Sequence, residues 1–547
     1  MSYTAAVGSF GRFPFVLLLA ISASVAAGPT GPWRSALFPE DWTPGYKDAE
    51  GRFLHDFSYA GYHSGEKPLP AVEAAVIDAV AAFGADPSGA KDSAQAIQSA
   101  IDAAQAGGGG VVYLPAGTYL CSKGLLIKRD RIVLRGAGPS LTQLVFSGRE
   151  KRDDAGITIQ GNPSLLNETA LVNDAPQLTR TLDVADASRF KVGDDVDVSW
   201  MITAGFVAEH GMTGTWSAHN GTRQVFFRVN ITAINTTGTP HRIVVDAPLR
   251  YPAKIRDAVM LSRRNSYVEE CGIERLSLSD AMPVNNEGLW PAGKRRRLVT
   301  LSHAKNCWIR DVHSFAPEGT GGHQLYDKGF QVLRSKRITI EDCSLAHAQR
   351  REGGCGYLYE LSGSNDILLK NCSGVAGRHN FTSNWLFGNV GNVFLRCLSR
   401  DGALGDWKNA PGPSDFHHSL SIACLIDSSM VDDGWDAANR GKTSAGAGHT
   451  VTQSVFWNCR GAGNIRSAQY GLGYLIGLAA TLNVVTEVNL NEPLQWWEKQ
   501  YVGTEPWDFV EGPGRNESLQ PQSLYEEQLR MRLLKTPSMH EPRPRAD

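Results

Sequence analysis

Between Arg350 and Arg466 the chain concentrates groups suited to acid–base work: Arg378-His379-Asn380, Asp415-Phe416-His417-His418, Asp432-Asp433-Gly434 with Asp436, Asn439 and Arg440, and Gly448-His449. Imidazoles beside guanidiniums fit β-elimination from a uronic-acid polymer. There a base removes the proton at C5, and cations or donors hold the charge that develops on the adjoining carboxylate. Arg378, His379, His417 and Arg440 are the catalytic candidates for that chemistry, with His418 and Asn439 as substrate contacts. Asp432, Asp433 and Asp436 offer the oxygen ligands that calcium favours, so Ca2+ is the one cofactor to expect. Tyr357, Tyr359 and Trp385 are candidates for stacking on sugar rings.

Each cluster also has an ordinary structural reading. Asp-Asp-Gly forms turns, a histidine at a strand start can be a packing residue, and adjacent His417 and His418 would alternate faces in a strand. What favours a site is concentration, since the clusters fall on neighbouring segments rather than across the whole chain.

Hydrolysis is the competing chemistry and needs two carboxyl groups, one protonating the leaving oxygen and one activating water or attacking carbon. Asp432-Asp433, Gly448-His449 and, more loosely, Asn464-Ile465-Arg466 resemble the motifs of the polygalacturonase family, which run Asn-Thr-Asp, Asp-Asp, Gly-His-Gly and Arg-Ile-Lys. The resemblance implies catalytic roles for Asp432, Asp433 and His449. The chain departs from that pattern at Thr450, in the absence of a preceding Asn-Thr-Asp, and in the early position of the basic motif.

The elements that would position these groups begin with AAFGADPSGAKDSAQAIQSAIDAAQAGGGGVVYLPAGTYL, from Ala81. Ala94, Ile97, Ala100, Ile101 and Ala104 recur at helical spacing, Asp92 or Ser93 can cap the start, and Gly107 to Gly110 end the helix. Val111 to Leu114 then reads as a strand closed by Pro115-Ala116-Gly117. This block resembles the N-terminal cap and first coil of the pectate-lyase-like, rhamnogalacturonase and epimerase superfamily. The resemblance implies an all-β, right-handed parallel β-helix with an N-terminal capping helix, and carbohydrate processing.

Beyond Tyr267 short alternating runs recur, among them NCWIRDVHSF, SKRITIEDCSL, SNDILLKNCSG and VGNVFLRCLSR. Cys343, Cys372, Cys397 and Cys424 step by 29, 25 and 27 residues, and the next step, to Cys459, is 35. Constant strands with variable excess mean a solenoid whose loops carry the site. Residues of about 176–258 read instead as hairpins, a β-rich insertion between early coils. The β-helix is expected over 76–500, after a wrapped extension at 28–75 and before a C-terminal cap and tail at 501–547. Trp496-Trp497 and Trp507 suit either capping or sugar stacking.

Lys plus Arg number 54 against 56 Asp plus Glu, so bulk charge predicts neither nucleic-acid nor membrane-surface binding. Lys294-Arg295-Arg296-Arg297 reads as a solvated basic loop. Residues 1–27 have the charge, apolar run and small residues of a secretory signal, which predicts export. Of the nine cysteines, Cys343, Cys372, Cys397, Cys424 and Cys459 each follow an apolar run, which suits buried thiols better than a disulfide framework. The sequence therefore predicts a secreted polysaccharide lyase, with a glycoside hydrolase, a uronate epimerase or a noncatalytic carbohydrate-binding β-helix as alternatives.

Overall fold

The computed structural model describes residues 31–73, 76–147, 154–217, 219–283, 296–403, 412–486 and 507–535. The predicted secretory signal, Trp496-Trp497 and Lys294-Arg295 lie outside these residues.

Ten strands form one parallel sheet whose spatial order is its chain order: β1 (Leu125–Ile127), β2 (Asp154–Gln160), β3 (Arg296–Ser302), β4 (Lys328–Leu333), β5 (Tyr357–Ser362), β6 (His379–Ser383), β7 (Ser414–Phe416), β8 (Gly434–Ala438), β9 (Asn464–Ala468) and β10 (Asn483–Val485). A nineteen-stranded parallel sheet forms the remaining faces. Parallel pairing between chain-adjacent laps is what a right-handed parallel β-helix requires.

Two rows of corners close each lap. One runs through Cys271, Cys307, Ile338, Ile367, Asn392, Cys424 and Ser454, the other through Cys343, Cys372, Cys397, Ser429 and Cys459, with backbone hydrogen bonds joining successive members or their neighbours. The residue before each corner takes positive φ, as at Asn306 (48°), Asp342 (55°), Asn371 (54°) and Asn458 (53°). Asn and Asp tolerate that conformation, which turns the chain in a single residue. All nine cysteines are buried free thiols. Seven of them belong to two stacks rather than one series, Cys121 and Cys355 standing outside both: the lap equivalent of Cys397 is Ser429, so the step to Cys424 crosses between corners.

Helix α1 (Ala94–Ala106) buries Ala94, Ile97, Ala100, Ile101 and Ala104 into the main core. Asp92 Oδ1 accepts the Ala94 amide, while Ser93 Oγ turns away to the Asp86 amide. At the helix end Gly109 has φ 132°, and a Cβ there would come 2.8 Å from that of Arg131, so the tight exit needs glycine.

Between β2 and β3 the chain leaves the helix to make a six-stranded antiparallel sheet, from Leu165–Ala170 to Met260–Arg264. It extends past the predicted 176–258 on both sides, because Leu165–Ala170 and Met260–Arg264 pair with each other and the latter with Asp195–Met201. Phe206, Trp216 and Phe226 pack it on Phe387 of the solenoid, with ring centroids 5.9, 5.2 and 5.5 Å apart.

The same second core takes in Leu37, Phe38, Trp42, Phe57 and Tyr59 of the N-terminal segment and Leu524 and Tyr525 of helix α2 (Leu524–Lys535). Gln528 of α2 receives the Phe57 amide at 2.8 Å and donates to the His55 carbonyl at 2.9 Å. Trp33 donates to the Ser518 carbonyl, and the Gln520 amide donates to that of Trp33. Asp427, buried beneath, accepts the Tyr525 amide and the Ser523 hydroxyl.

Arg296 and Arg297, expected in a solvated loop, begin β3 instead. Arg296 is buried over the Tyr326 ring, and Arg297 lies 3.9 Å from Glu360.

Candidate active site

Strand register brings the chemistry together. Gln331, Glu360, Thr382, Asp415, Asp436 and Arg466 are successive partners across β4 to β9, one row with a spacing of about 4.8 Å per coil. Tyr357 pairs with His379 at the starts of β5 and β6, and His417 follows β7 directly.

Asp415 is the centre of the group. Its Oδ2 lies 2.5 Å from His417 Nδ1, and its Oδ1 accepts Thr382 Oγ1 at 2.7 Å and lies 3.7 Å from His379 Nδ1. We assign the proton of His417 to Nδ1, facing the carboxylate, which leaves Nε2 as its basic nitrogen. Arg440 Nη1 donates to Asp415 Oδ2 at 3.3 Å and to the His417 carbonyl at 3.0 Å. His379 Nδ1 donates to the Pro413 carbonyl at 2.5 Å, and its Nε2 is buried without a partner. The His379, His417 and Tyr357 rings surround one another, with centroids 5.1 to 5.7 Å apart.

Burial holds both imidazoles well below the ordinary value of 6.5; Arg440 and Arg378 add to this at His417, while Asp415 opposes it at His379. Both are therefore neutral bases near neutral pH. Burial pushes the Tyr357 phenol up to about 12, against the pull of Arg378, so it carries its proton. Arg378 Nη1 donates to the Tyr357 oxygen at 3.1 Å, and Lys328 Nζ lies 4.2 Å over the ring while bonding Glu360 at 3.1 Å. Burial raises the Glu360 carboxyl, but Lys328 and Arg297 outweigh it and keep the group ionised.

Around these residues Arg378 Nε, His379 Nε2, Ser383 Oγ, Asn384 Oδ1 and His418 Nδ1 are all buried without a hydrogen-bond partner. Buried polar atoms are nearly always paired in folded proteins, so a concentration of unpaired ones marks a place built for a polar ligand or ordered water.

His379, Asp415 and His417 are close enough to share a metal ion. However, the Arg440 guanidinium already stands against both Asp415 and His417, with Nη1 2.6 Å from His417 Nδ1. A fixed cation there disfavours a second one.

Residues 78–197 match a family model described as rhamnogalacturonase A/epimerase, pectate lyase-like. Over 62 residues the chain is 53% identical to mannuronan C5-epimerase AlgE3 of Azotobacter vinelandii, covering 10% of this chain and 3% of that protein. Over 103 residues it is 40% identical to alginate lyase 7 of the same organism, covering 15% and 12%. The family match and the curated relatives thus place the likeness to pectate-lyase-like proteins in the N-terminal part of the chain, and the parallel β-helix that follows is the fold those matches lead one to expect. Among solved structures, tailspike gp61 of Pseudomonas phage phi297 aligns with TM-score 0.47 and 14% identity over 75% of this chain and 70% of that one. The AlgE6 A-module aligns with TM-score 0.36 and 16% identity, over 80% and 98%. The matches to the curated relatives span only a small part of those proteins' length.

Within this parallel β-helix, Arg378, His379, His417, Arg440 and Tyr357 meet in one cluster. His418 and Trp385 flank it as a stacked pair. Other expected residues lie elsewhere. Tyr359 is no surface platform: it is the middle of an interior stack, 4.9 Å from Phe381, and its hydroxyl donates to the Cys343 and Ser373 carbonyls. Asp432, Asp433 and Asp436, the expected calcium ligands, do not converge on one point; each carboxylate has separate partners. Asp432 takes Arg400, Asp436 takes Arg466, and Asp433 receives Asn380 Nδ2 and the Gly402 amide. His449 packs on Tyr470 and Trp216, beneath the insertion, with centroids 4.9 and 6.3 Å away. Asn439 closes a turn by accepting the Gly441 amide and bridges to His449.

Asp415, Thr382, Lys328 and Glu360 carry no role in the sequence reading. The Asp-x-His spacing of Asp415 and His417 was the available signal. Lys328 and Glu360 lie one or two coils away, where only the register reveals them.

Proposed function

We propose that this chain is a polysaccharide-active enzyme that removes the C5 proton of a uronate residue in a polyuronate and completes a β-elimination. His417, backed by Asp415, is the base, and Asp415 steadies the imidazolium that forms. Arg440 and Arg378 receive the substrate carboxylate and hold the charge that moves onto it. Tyr357 donates its proton to the departing glycosidic oxygen, and Arg378 steadies the phenolate left behind. His379 Nε2, with its proton on the other nitrogen, accepts a sugar hydroxyl beside the reacting carbon.

The observation that carries the reading is a neutral, carboxylate-backed imidazole set among cations and beside a protonated tyrosine. Hydrolysis would need a protonated carboxyl aimed at the bridging oxygen. Asp432, Asp415 and Asp436 are paired with Arg400, Arg440 and Arg466, which leaves Asp433, whose carboxyl burial raises, as the acid that the hydrolytic alternative would have to use. The names of the relatives, a mannuronan C5-epimerase and an alginate lyase, point to mannuronan and alginate as the first polymers to try. Epimerisation shares the same proton abstraction and differs in that the carbanion is reprotonated rather than collapsing to the alkene.

The test incubates the protein with alginate, pectate, glucuronan and a neutral glycan in deuterium oxide. It follows ultraviolet absorbance of unsaturated ends, new reducing ends and deuterium at C5. Absorbance with reducing ends establishes elimination, and deuterium without chain scission shows epimerisation. Reducing ends alone would replace the reading with hydrolysis, and binding without any of the three would make the protein a noncatalytic carbohydrate binder.

A further inference from the structure

A second polar enclosure lies between the antiparallel insertion and the coil corners that follow β3, β4 and β5. It is a cavity of about 240 Å³, open on one side, and its walls carry Arg223, Arg228 and Arg264 from the insertion and His303 and Arg334 from the corners. The carboxylate in the wall is Asp197. Four guanidiniums less one carboxylate leave a formal charge of plus three in a partly buried space.

The arginines are held by the fold more than by counter-charge. Arg228 is buried, and its Nη1 donates to the Gly363 carbonyl at 2.5 Å and to Asn365 Oδ1 at 3.3 Å. Its Nε has no hydrogen-bond partner and stands 4.0 Å from Asp197. Arg223 donates to the Ser199 and Ala258 carbonyls, at 3.2 and 2.9 Å. Asp197 is already used by Arg264 at 2.6 Å and by the Tyr267 hydroxyl at 3.1 Å. Arg334 has no ion pair among the described residues, and Arg228 and Arg264 repel it. His303 is pushed down to about 4 by burial and by Arg228 and Arg334, so it is neutral and can act as a hydrogen-bonding wall.

Like charges gathered in a low-dielectric recess, with a buried guanidinium nitrogen left unpaired, form a site that is incomplete without an anion. Guanidiniums recognise planar and tetrahedral oxyanions through paired N–H donors. We propose that this cavity is a second binding site, selective for an oxyanion: the carboxylate of an acidic sugar, or a free tetrahedral anion such as sulfate. Its place in the fold favours the sugar. Gly363 follows β5 directly, the strand that begins with Tyr357, and Leu386 adjoins Trp385. An acidic polymer lying over Tyr357 and Trp385 reaches the cavity along one strand length, roughly 20 Å for six residues. That source rests on the polyuronate reading, whereas the oxyanion site itself does not.

The experiment is calorimetric titration of the full chain with sodium sulfate and, separately, with monomeric glucuronate, at low and high salt. The variants are R334E, R334K and H417A. The Arg334 side chain is exposed and makes no hydrogen bond or ion pair among the described residues, its backbone amide alone bonding the Ser362 carbonyl, so both changes at that position should leave folding intact. Saturable binding of either probe is expected, weakened about tenfold or more in R334E, kept in R334K and reduced by salt. Sulfate alone identifies a free-ion site, and glucuronate, with or without sulfate, identifies an acidic-sugar subsite. H417A should bind as the parent does, so failure of the elimination reading leaves this measurement decisive. No saturation with either probe, or equal binding by R334E, overturns the site.

Discussion

The ring of Trp385 lies on that of His418, with centroids 4.4 Å apart and planes within 16°. His418 is buried, whereas Trp385 is 42% exposed, so the pair presents one open aromatic face on a fixed support. One chain neighbour, His417, belongs to the proton-abstracting cluster, and another, Leu386, lines the arginine cavity. On the proposed reading the open face would serve as a platform for a sugar between the two. Trp385→Ala is expected to raise KM between about twofold and tenfold with little change in kcat, measured by initial rates on oligomers of defined length.

His417→Ala removes the base and should lower kcat by roughly 10² to 10⁴. Asp415→Asn should act in the same direction while leaving substrate affinity near that of the parent. Because burial depresses the His417 value, protonation does not remove the base until the pH is well below 6.5. The acid limb of kcat/KM should therefore lie below that pH; a limb above it would argue against His417 as the base.

Tyr357 and Tyr359 are two residues apart and predict opposite outcomes. Tyr357→Phe deletes the proton donor and should reduce turnover at unchanged Tm. Tyr359→Phe leaves two interior carbonyls without their donor and should cost about 1 kcal/mol of stability, with turnover preserved. Paired thermal melts and rate measurements separate the two.

Burial pushes the Asp427 carboxyl from 3.8 up to about 7. The folded chain thus keeps a proton that the unfolded chain has lost, and this contribution to stability falls as pH rises from about 4 to 7. Asp427→Asn has no such slope. Its Tm relative to the parent should climb by a few degrees across that window, and a pH-independent difference would show that Asp427 does not titrate there.

Arg440 supplies the positive charge beside Asp415, and the three acidic residues that might have gathered calcium are separately paired. Exhaustive chelation should leave the initial rate within about twofold, whereas Arg440→Ala should lower it by about two orders of magnitude, the scale of losing one charge-stabilising donor. Loss on chelation, restored by calcium, would reverse this assignment.

The fold was legible because its signals are local. The apolar spacing of Ala94 to Ala104, the glycine exit and the recurrent strands each act over a few residues. The site was legible as a region but only partly as residues. Arg378, His379, His417 and Arg440 stand near one another through pairing across coils, which loop lengths set and composition does not reveal. Cys424 shows the limit plainly: it keeps nearly the right spacing yet lies at a different corner from Cys397. Tyr359 shows another, since Tyr357 and Tyr359 look equivalent by alternation, but only Tyr359 enters the interior stack. Asp432-Asp433 had the composition of a carboxyl pair, and the partners that separate its two members, the Arg400 guanidinium and the Asn380 amide, come from more than thirty residues away.

The hydrogen bonds that join Trp33 to Ser518 and Gln520 have a mechanical consequence. Tension applied between residues 33 and 520 is carried by this clasp and by α2 in shear, and the coils are bypassed. A solenoid held in this way should not unwind lap by lap under load. It should hold its length until the clasp gives, and then yield in one abrupt step.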